Sequence, residues 1–220
     1  MLVCIILLIL TPKSEQLPQF LVLASGQFHR DEVIRPGEGG WMGVFTEEDR
    51  CELRPVELEF LPYHDFVLDS PGDTTGTEVF YATDSGNPLF FVWSLNSVFR
   101  QGPLPTAAVN TGNLLPDTTF QLSAEGVETC TVEATDKGLF VSSGGTPQRI
   151  SAVYPQSAEW EENRVSILWA GDLDGDGRMD ILLDDLFHYN VYVGYVLYLS
   201  SLASPGQLME EAASFIAVGC

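Results

Sequence analysis

Nearly the whole chain is cut into short apolar or alternating segments, each bounded by residues that break regular structure. Phe20–Leu23, Trp41–Phe45, Leu53–Phe60, Glu78–Ala82, Leu89–Trp93, Thr129–Glu133, Gly138–Ser142 and Ile150–Tyr154 have the length and the β-branched or aromatic content of strands. Turn formers stand between them: Arg35-Pro36-Gly37, Ser70-Pro71-Gly72-Asp73, Ser85-Gly86-Asn87-Pro88, Gly144-Gly145 and Tyr154-Pro155. No segment carries a capped helical period over three turns. One stretch keeps two readings: over 206–215, Leu208, Ala212 and Phe215 would share a helix face, or a strand would begin near Ala213. The expected fold is all-β, with antiparallel sheets arranged as a sandwich, a barrel or part of a propeller. No long repeat period runs through 16–163, and no linker divides the chain. One domain is expected, from about residue 17 to 220.

Charge narrows the partners. Ten Lys and Arg stand against 31 Asp and Glu, a formal net charge of -21. Lys13 and Lys137 are the only lysines. Such a surface repels phosphate backbones and anionic lipid, which excludes nucleic-acid binding and electrostatic membrane docking. It suits divalent cations and a saline exterior. With 45% apolar residues, the chain can still build a real core.

Residues 1–16 read as a signal peptide. Met1–Leu10 is an unbroken apolar run, too short as a helix to cross about 30 Å of hydrocarbon but right for the apolar part of a leader. No transmembrane span is expected. The chain is read as secreted, periplasmic or held at the cell surface. Without the leader, Cys51, Cys130 and Cys220 remain, none in a zinc-type spacing. One disulfide and one buried thiol are expected, with Cys51–Cys220 the preferred pair because it closes the longer loop and ties down the last residue.

The most informative stretch is Val165–Asp185, VSILWAGDLDGDGRMDILLDD. At its centre, Asp172, Asp174, Asp176 and Asp180 follow the pattern D-x-D-G-D-G-x-x-D. Carboxylates at alternate positions of a tightly curled loop all turn inward, and Gly175 and Gly177 permit the positive φ that the curl needs. Arg178 offers its backbone carbonyl. With water, this set supplies the six or seven hard oxygen ligands that Ca²⁺ prefers. A bare hairpin turn needs one Asp-Gly, not four aspartates in register. The loop is not an EF-hand: position twelve is Leu183 where a bidentate Glu is required, and Val165–Ala170 and Ile181–Leu183 look like strands.

Strand, acidic loop, strand: this order resembles the calcium loops of FG-GAP/VCBS-type repeats, found in the propellers of integrin α subunits. The likeness covers Ile167–Leu183 well and continues loosely through Leu197–Ser201, so that 165–220 forms the FG-GAP-like segment. His188–Asn190 and the ending Val218-Gly219-Cys220 also look like small exported bacterial proteins with a single such motif. The resemblance implies Asp172, Asp174, Asp176 and Asp180 as side-chain ligands and Arg178 as a carbonyl ligand. A full propeller would need several such blades, and one acidic loop is present.

Other groups read as structural. His29, His64 and His188 each stand beside polar neighbours; Asp65, Asp69, Asp73 and Glu78 form a looser acidic stretch expected as a solvated loop. Tyr189, Tyr192, Tyr195 and Tyr198 are expected to pack on a sheet, with a carbohydrate-stacking face as the alternative. No nucleophile elbow, P-loop, zincin or dinucleotide motif occurs. The expected function is a non-catalytic, exported calcium-binding module, with a protein or carbohydrate ligand. The alternative is a secreted hydrolase whose calcium site is structural.

Overall fold

The computed structural model describes residues 18–29, 32–37, 40–47, 50–81, 86–151, 164–186 and 190–218. The expected leader, Tyr154-Pro155, His188, Tyr189 and Cys220 lie outside them. The fold is all-β, with several antiparallel sheets, none closed into a barrel. The chain runs through β1 (Phe20–Leu23), β2 (Gly26–Phe28), β3 (Trp41–Glu47), β4 (Arg50–Val56), β5 (Glu59–Tyr63), β6 (Gly76–Phe80), β7 (Phe90–Ser94), β8 (Gly102–Leu104) and β9 (Thr106–Val109). It continues through β10 (Thr118–Leu122), β11 (Cys130–Thr135), β12 (Gly138–Ser142), β13 (Gln148–Ser151), β14 (Arg164–Gly171), β15 (Asp180–Leu186), β16 (Val191–Leu199) and β17 (Glu210–Val218). A single 3-10 turn, Ser200–Leu202, is the only helical piece among the described residues. None of these elements is a helix long and apolar enough to cross a membrane.

A central sheet, in the order β17-β16-β15-β14-β9, is covered on both faces. One face packs on the sheet β1-β7-β3-β4-β8 in a first core, where Trp169, Leu182, Leu197 and Phe215 meet Val44, Leu53, Phe91 and Trp93. The other packs on the sheet β10-β11-β12-β13 in a second core, where Ile167, Ile181 and Leu183 meet Leu122, Val132, Leu139 and Val141. This explains the unbroken run Ile181-Leu182-Leu183. Successive side chains of a strand point to opposite faces, and here both faces are dry. In β14 a bulge between Ile167 and Trp169 shifts this alternation, so Ile167 enters the second core and Trp169 the first. A small sheet, β2-β6-β5, joins the first core through Phe28 and Val79.

The strand expectations hold with instructive exceptions. The stretch Leu53–Phe60 is two strands in different sheets, β4 and β5, parted at Glu57-Leu58. Its apolar alternation runs on because Leu58 and Phe60 still pack against the same core. The open stretch 206–215 is a turn and a short irregular piece leading into strand from Glu210: β17 pairs with β16 along its length, with Ala213, Phe215 and Ala217 buried and Ser214 and Ile216 exposed. The expected Cys51–Cys220 bridge is corrected at Cys51, which carries a free thiol; Cys220 lies outside the described residues. Cys51 and Cys130 are free thiols, each buried inside a core, Cys51 opposite Leu104 in the β4–β8 pair. Of the described tyrosines, Tyr192 is half-exposed, with its ring stacked on Phe28. Tyr195 sits against the first core and Tyr198 against the second, so no common stacking face forms among the described members.

Candidate metal centre

The acidic loop closes the hairpin of β14 and β15, whose last pair is Gly171 and Asp180. Gly171 is required there, since a Cβ would lie 2.2 Å from the Pro105 carbonyl oxygen. That close approach lets the Asp172 N–H donate to Pro105 O at 3.0 Å. Leu173 is buried in the first core and Met179 in the second, so each flank of the loop is anchored in a different layer. The Gly177 carbonyl accepts the Glu128 N–H at 2.9 Å, tying the loop to the segment entering β11.

Asp172 shapes the curl. Its Oδ1 accepts the N–H groups of Gly175 at 2.8 Å and Asp176 at 3.1 Å, and its Oδ2 accepts that of Gly177 at 2.9 Å. Gly175 and Gly177 have φ of 82° and 79°, a left-handed region that favours glycine. Asp180 holds the base. It is fully buried; Oδ2 accepts the Leu173 N–H at 2.8 Å, and Oδ1 accepts the Ser200 N–H at 2.8 Å and its hydroxyl at 2.9 Å. The Ser200 hydroxyl also lies 3.1 Å from both Asp176 oxygens. Arg178 folds back, its guanidinium donating to Asp176 Oδ2 at 2.6 and 3.0 Å. Asp174 Oδ2 accepts the Ser201 hydroxyl. Asp174 Oδ1 is buried and has no hydrogen-bond partner.

Asp172, Asp174 and Asp176 converge: one carboxylate oxygen from each lies within 4.8 Å of the other two. Asp180 does not join this trio, but is close enough to Asp174 to feel its charge. Burial, and then the charge of Asp174, push the Asp180 carboxyl up to about 7, against the hydrogen bonds from Ser200 and Leu173. Burial also raises Asp174, helped by Asp176 and Asp172. Protons or a cation must answer this packing of like charge. Among the five expected ligand residues, three converge, Asp180 buttresses them and Arg178 offers its side chain to Asp176. Ser200 and Ser201 were not anticipated. Their only signal is a pair of hydroxyls directly after the strand that neighbours the hairpin.

The second acidic stretch is solvated only in part: Asp73 is exposed as expected and Glu78 half-buried. Asp65 and the Asp69 side chain are buried and braced, with Asp65 bonded to His29. A groove of about 390 Å³ runs between Ser25, Glu78, Asn87 and Tyr195. Glu78 is its single carboxylate among the described residues and accepts from Gln27 at 3.2 Å. Comparison with protein-family models, curated proteins and solved structures returns no match.

Proposed function

We propose that this chain is a non-catalytic, exported calcium-binding module of the FG-GAP/VCBS type, in which the ion fastens the acidic hairpin to both cores. The observation that carries the reading is the buried, unpartnered Asp174 Oδ1 within a trio of converging carboxylates. A buried acceptor left without a donor is costly, and a cation is the ligand that rewards it. Two oxygens on one Ca²⁺, each about 2.3–2.6 Å away, are at most about 5 Å apart. The trio's oxygens, all within 4.8 Å of one another, are within reach of one such ion. Asp172, Asp174 and Asp176 would ligate by side chains, Arg178 by its carbonyl, and Asp180 would complete the shell or hold it from behind.

The order of strands supports the family reading. β10–β13 and β14–β17 are each four-stranded antiparallel meanders in sequence order, the unit from which propeller blades are made. The charge of -21 supports an exterior address, where calcium is plentiful and an acidic surface keeps the protein soluble.

Calorimetric unfolding in millimolar calcium and in chelator tests the proposal. An extracellular site of this kind binds with a Kd around 10⁻⁴–10⁻³ M, and a tenfold excess over Kd adds about 1.4 kcal/mol. The expected result is a higher Tm with calcium and a calcium-independent Tm in Asp174→Ala. Identical melting of the wild type in both buffers overturns it.

A further inference from the structure

Apart from the acidic loop, one part of the molecule spends its hydrogen bonds on displaying apolar side chains. Between β5 and β6, Phe66, Val67 and Leu68 are 80%, 54% and 53% exposed, and Leu61 on the neighbouring edge strand is 42% exposed. Scattered apolar residues on a surface are ordinary, whereas three in a row at one tip are not. The turn that carries them is braced from below. Asp65, 2% exposed, accepts the N–H groups of Val67 at 3.0 Å and Leu68 at 3.2 Å on one oxygen and bonds His29 with the other. Asp69 answers: its N–H donates to Asp65 O at 2.9 Å, and its carboxylate accepts the Asp65 N–H, the Thr75 N–H and the Thr75 hydroxyl. The Phe66 ring is steadied edge-on by His64 at 4.9 Å and Tyr63 at 6.1 Å between centroids. The display is therefore held in one shape before any partner arrives, which lowers the ordering cost of binding.

Charge selects the occupant. From 55 to 99 the chain has seven acidic residues and no Lys or Arg; Asp65 and Asp69 brace the tip from within and Asp73 is exposed beside it. Among the described residues, the one Arg or Lys reaching this small sheet, Arg35, lies over the Phe60 ring and donates to Thr77. An anionic bilayer repels this acidic tip. A second copy, equally acidic, is repelled as well. We propose that the Phe66-Val67-Leu68 tip is a docking knob for a protein partner whose apolar cleft is rimmed by Lys or Arg. Phe66 is the anchor, Leu68 and Val67 fill the cleft, and the acidic flank sets orientation and on-rate. This interaction is independent of calcium at the other site.

The test uses the full folded chain and, as probe, a labelled amphipathic peptide of leucine and lysine, with a leucine–glutamate peptide as control. Anisotropy is expected to show binding of the lysine peptide alone, and hydrogen exchange to place its footprint on 63–75. The Phe66→Ser/Leu68→Ser variant keeps every charge and is expected to bind roughly tenfold more weakly or worse, a loss of about 1.4 kcal/mol or more. Thr75→Val, which keeps the apolar side chains and loosens the brace, is expected to fall between. Unchanged binding by the double variant, a footprint elsewhere, or equal binding of the glutamate peptide overturns the proposal. So does Phe66-dependent sedimentation with neutral phosphatidylcholine vesicles, which names a membrane instead, or a Phe66-dependent dimer without peptide, which names a second copy.

Discussion

Asp69 shows how one side chain sets the pH range of a local structure. Burial works to raise its carboxyl, but the Thr75 hydroxyl and N–H, the Asp65 N–H and the nearby His64 ring overcome this and hold it at about 2. A carboxyl depressed on folding contributes stability above its unfolded value of 3.8 that is lost as pH falls towards 2. Acid unfolding over that window is expected to be shallower in Asp69→Asn than in the wild type, as read by circular dichroism. His29 acts at the opposite end. Its hydrogen bond to Asp65 raises it above 6.5 against the effect of burial, with further help from Glu32 and the Val218 backbone. A raised His contributes stability that is complete below the unfolded value and lost as pH rises through the folded one. Denaturant midpoints measured from pH 6 upward are expected to decline in the wild type and stay flat in His29→Gln. Glycine matters at the same scale. A Cβ at Gly194 would meet the Asp185 carbonyl oxygen at 2.2 Å, backbone against backbone. Gly194→Ala is expected to cost about 1–3 kcal/mol in urea unfolding.

At the level of elements, the β14–β15 hairpin is the piece on which the candidate site and the layering both depend. Its loop is held at four places by different parts of the chain: Pro105, Glu128, Ser200 and Ser201. The 3-10 turn after β16 therefore acts as a rear wall, and its hydroxyls orient Asp174, Asp176 and Asp180. Groups standing behind metal ligands commonly govern affinity by 10–100-fold. Ser200→Ala is expected to weaken calcium binding roughly tenfold by titration calorimetry while leaving the circular dichroism spectrum unchanged. The bulge in β14 has its own consequence. By turning Trp169 into the first core it lets the hairpin fill both layers. Its indole N–H lies 3.3 Å from the Thr106 hydroxyl, on the strand paired beside it.

The molecule as a whole has two cores sharing a central sheet, and this arrangement dictates how it should unfold. Trp41, Trp93 and Trp169, the tryptophans among the described residues, all belong to the first core, so in a Trp160→Phe background intrinsic fluorescence reports there. Leu122 belongs to the second, at the far side of the central sheet. Leu122→Ala is expected to cost about 2–5 kcal/mol and to move the fluorescence and circular dichroism midpoints together. Separate midpoints would mean that the layers unfold independently. The same arrangement places the acidic hairpin where an ion would act on both cores. The braced apolar tip lies instead on the small outer sheet, joined to the body through Phe28 and Val79.

Strand content and the acidic hairpin were legible in the sequence because both are local. Two-residue alternation, turn formers and the spacing of Asp172, Asp174 and Asp176 are carried by neighbours along the chain. β2, β8, β9 and β10 left little trace, since strands of three to five residues with half-exposed or polar positions show no clear alternation. Which sheet each strand joins, the division of Leu53–Phe60, and the free thiol at Cys51 were decided by tertiary structure. So were the partners of the acidic groups. Nothing local says that Asp65 would meet His29 or that Ser200 would stand behind Asp180, because those hydrogen bonds join residues 36 and 20 positions apart. Periodicity records which face of a strand is dry; only packing settles what lies against it.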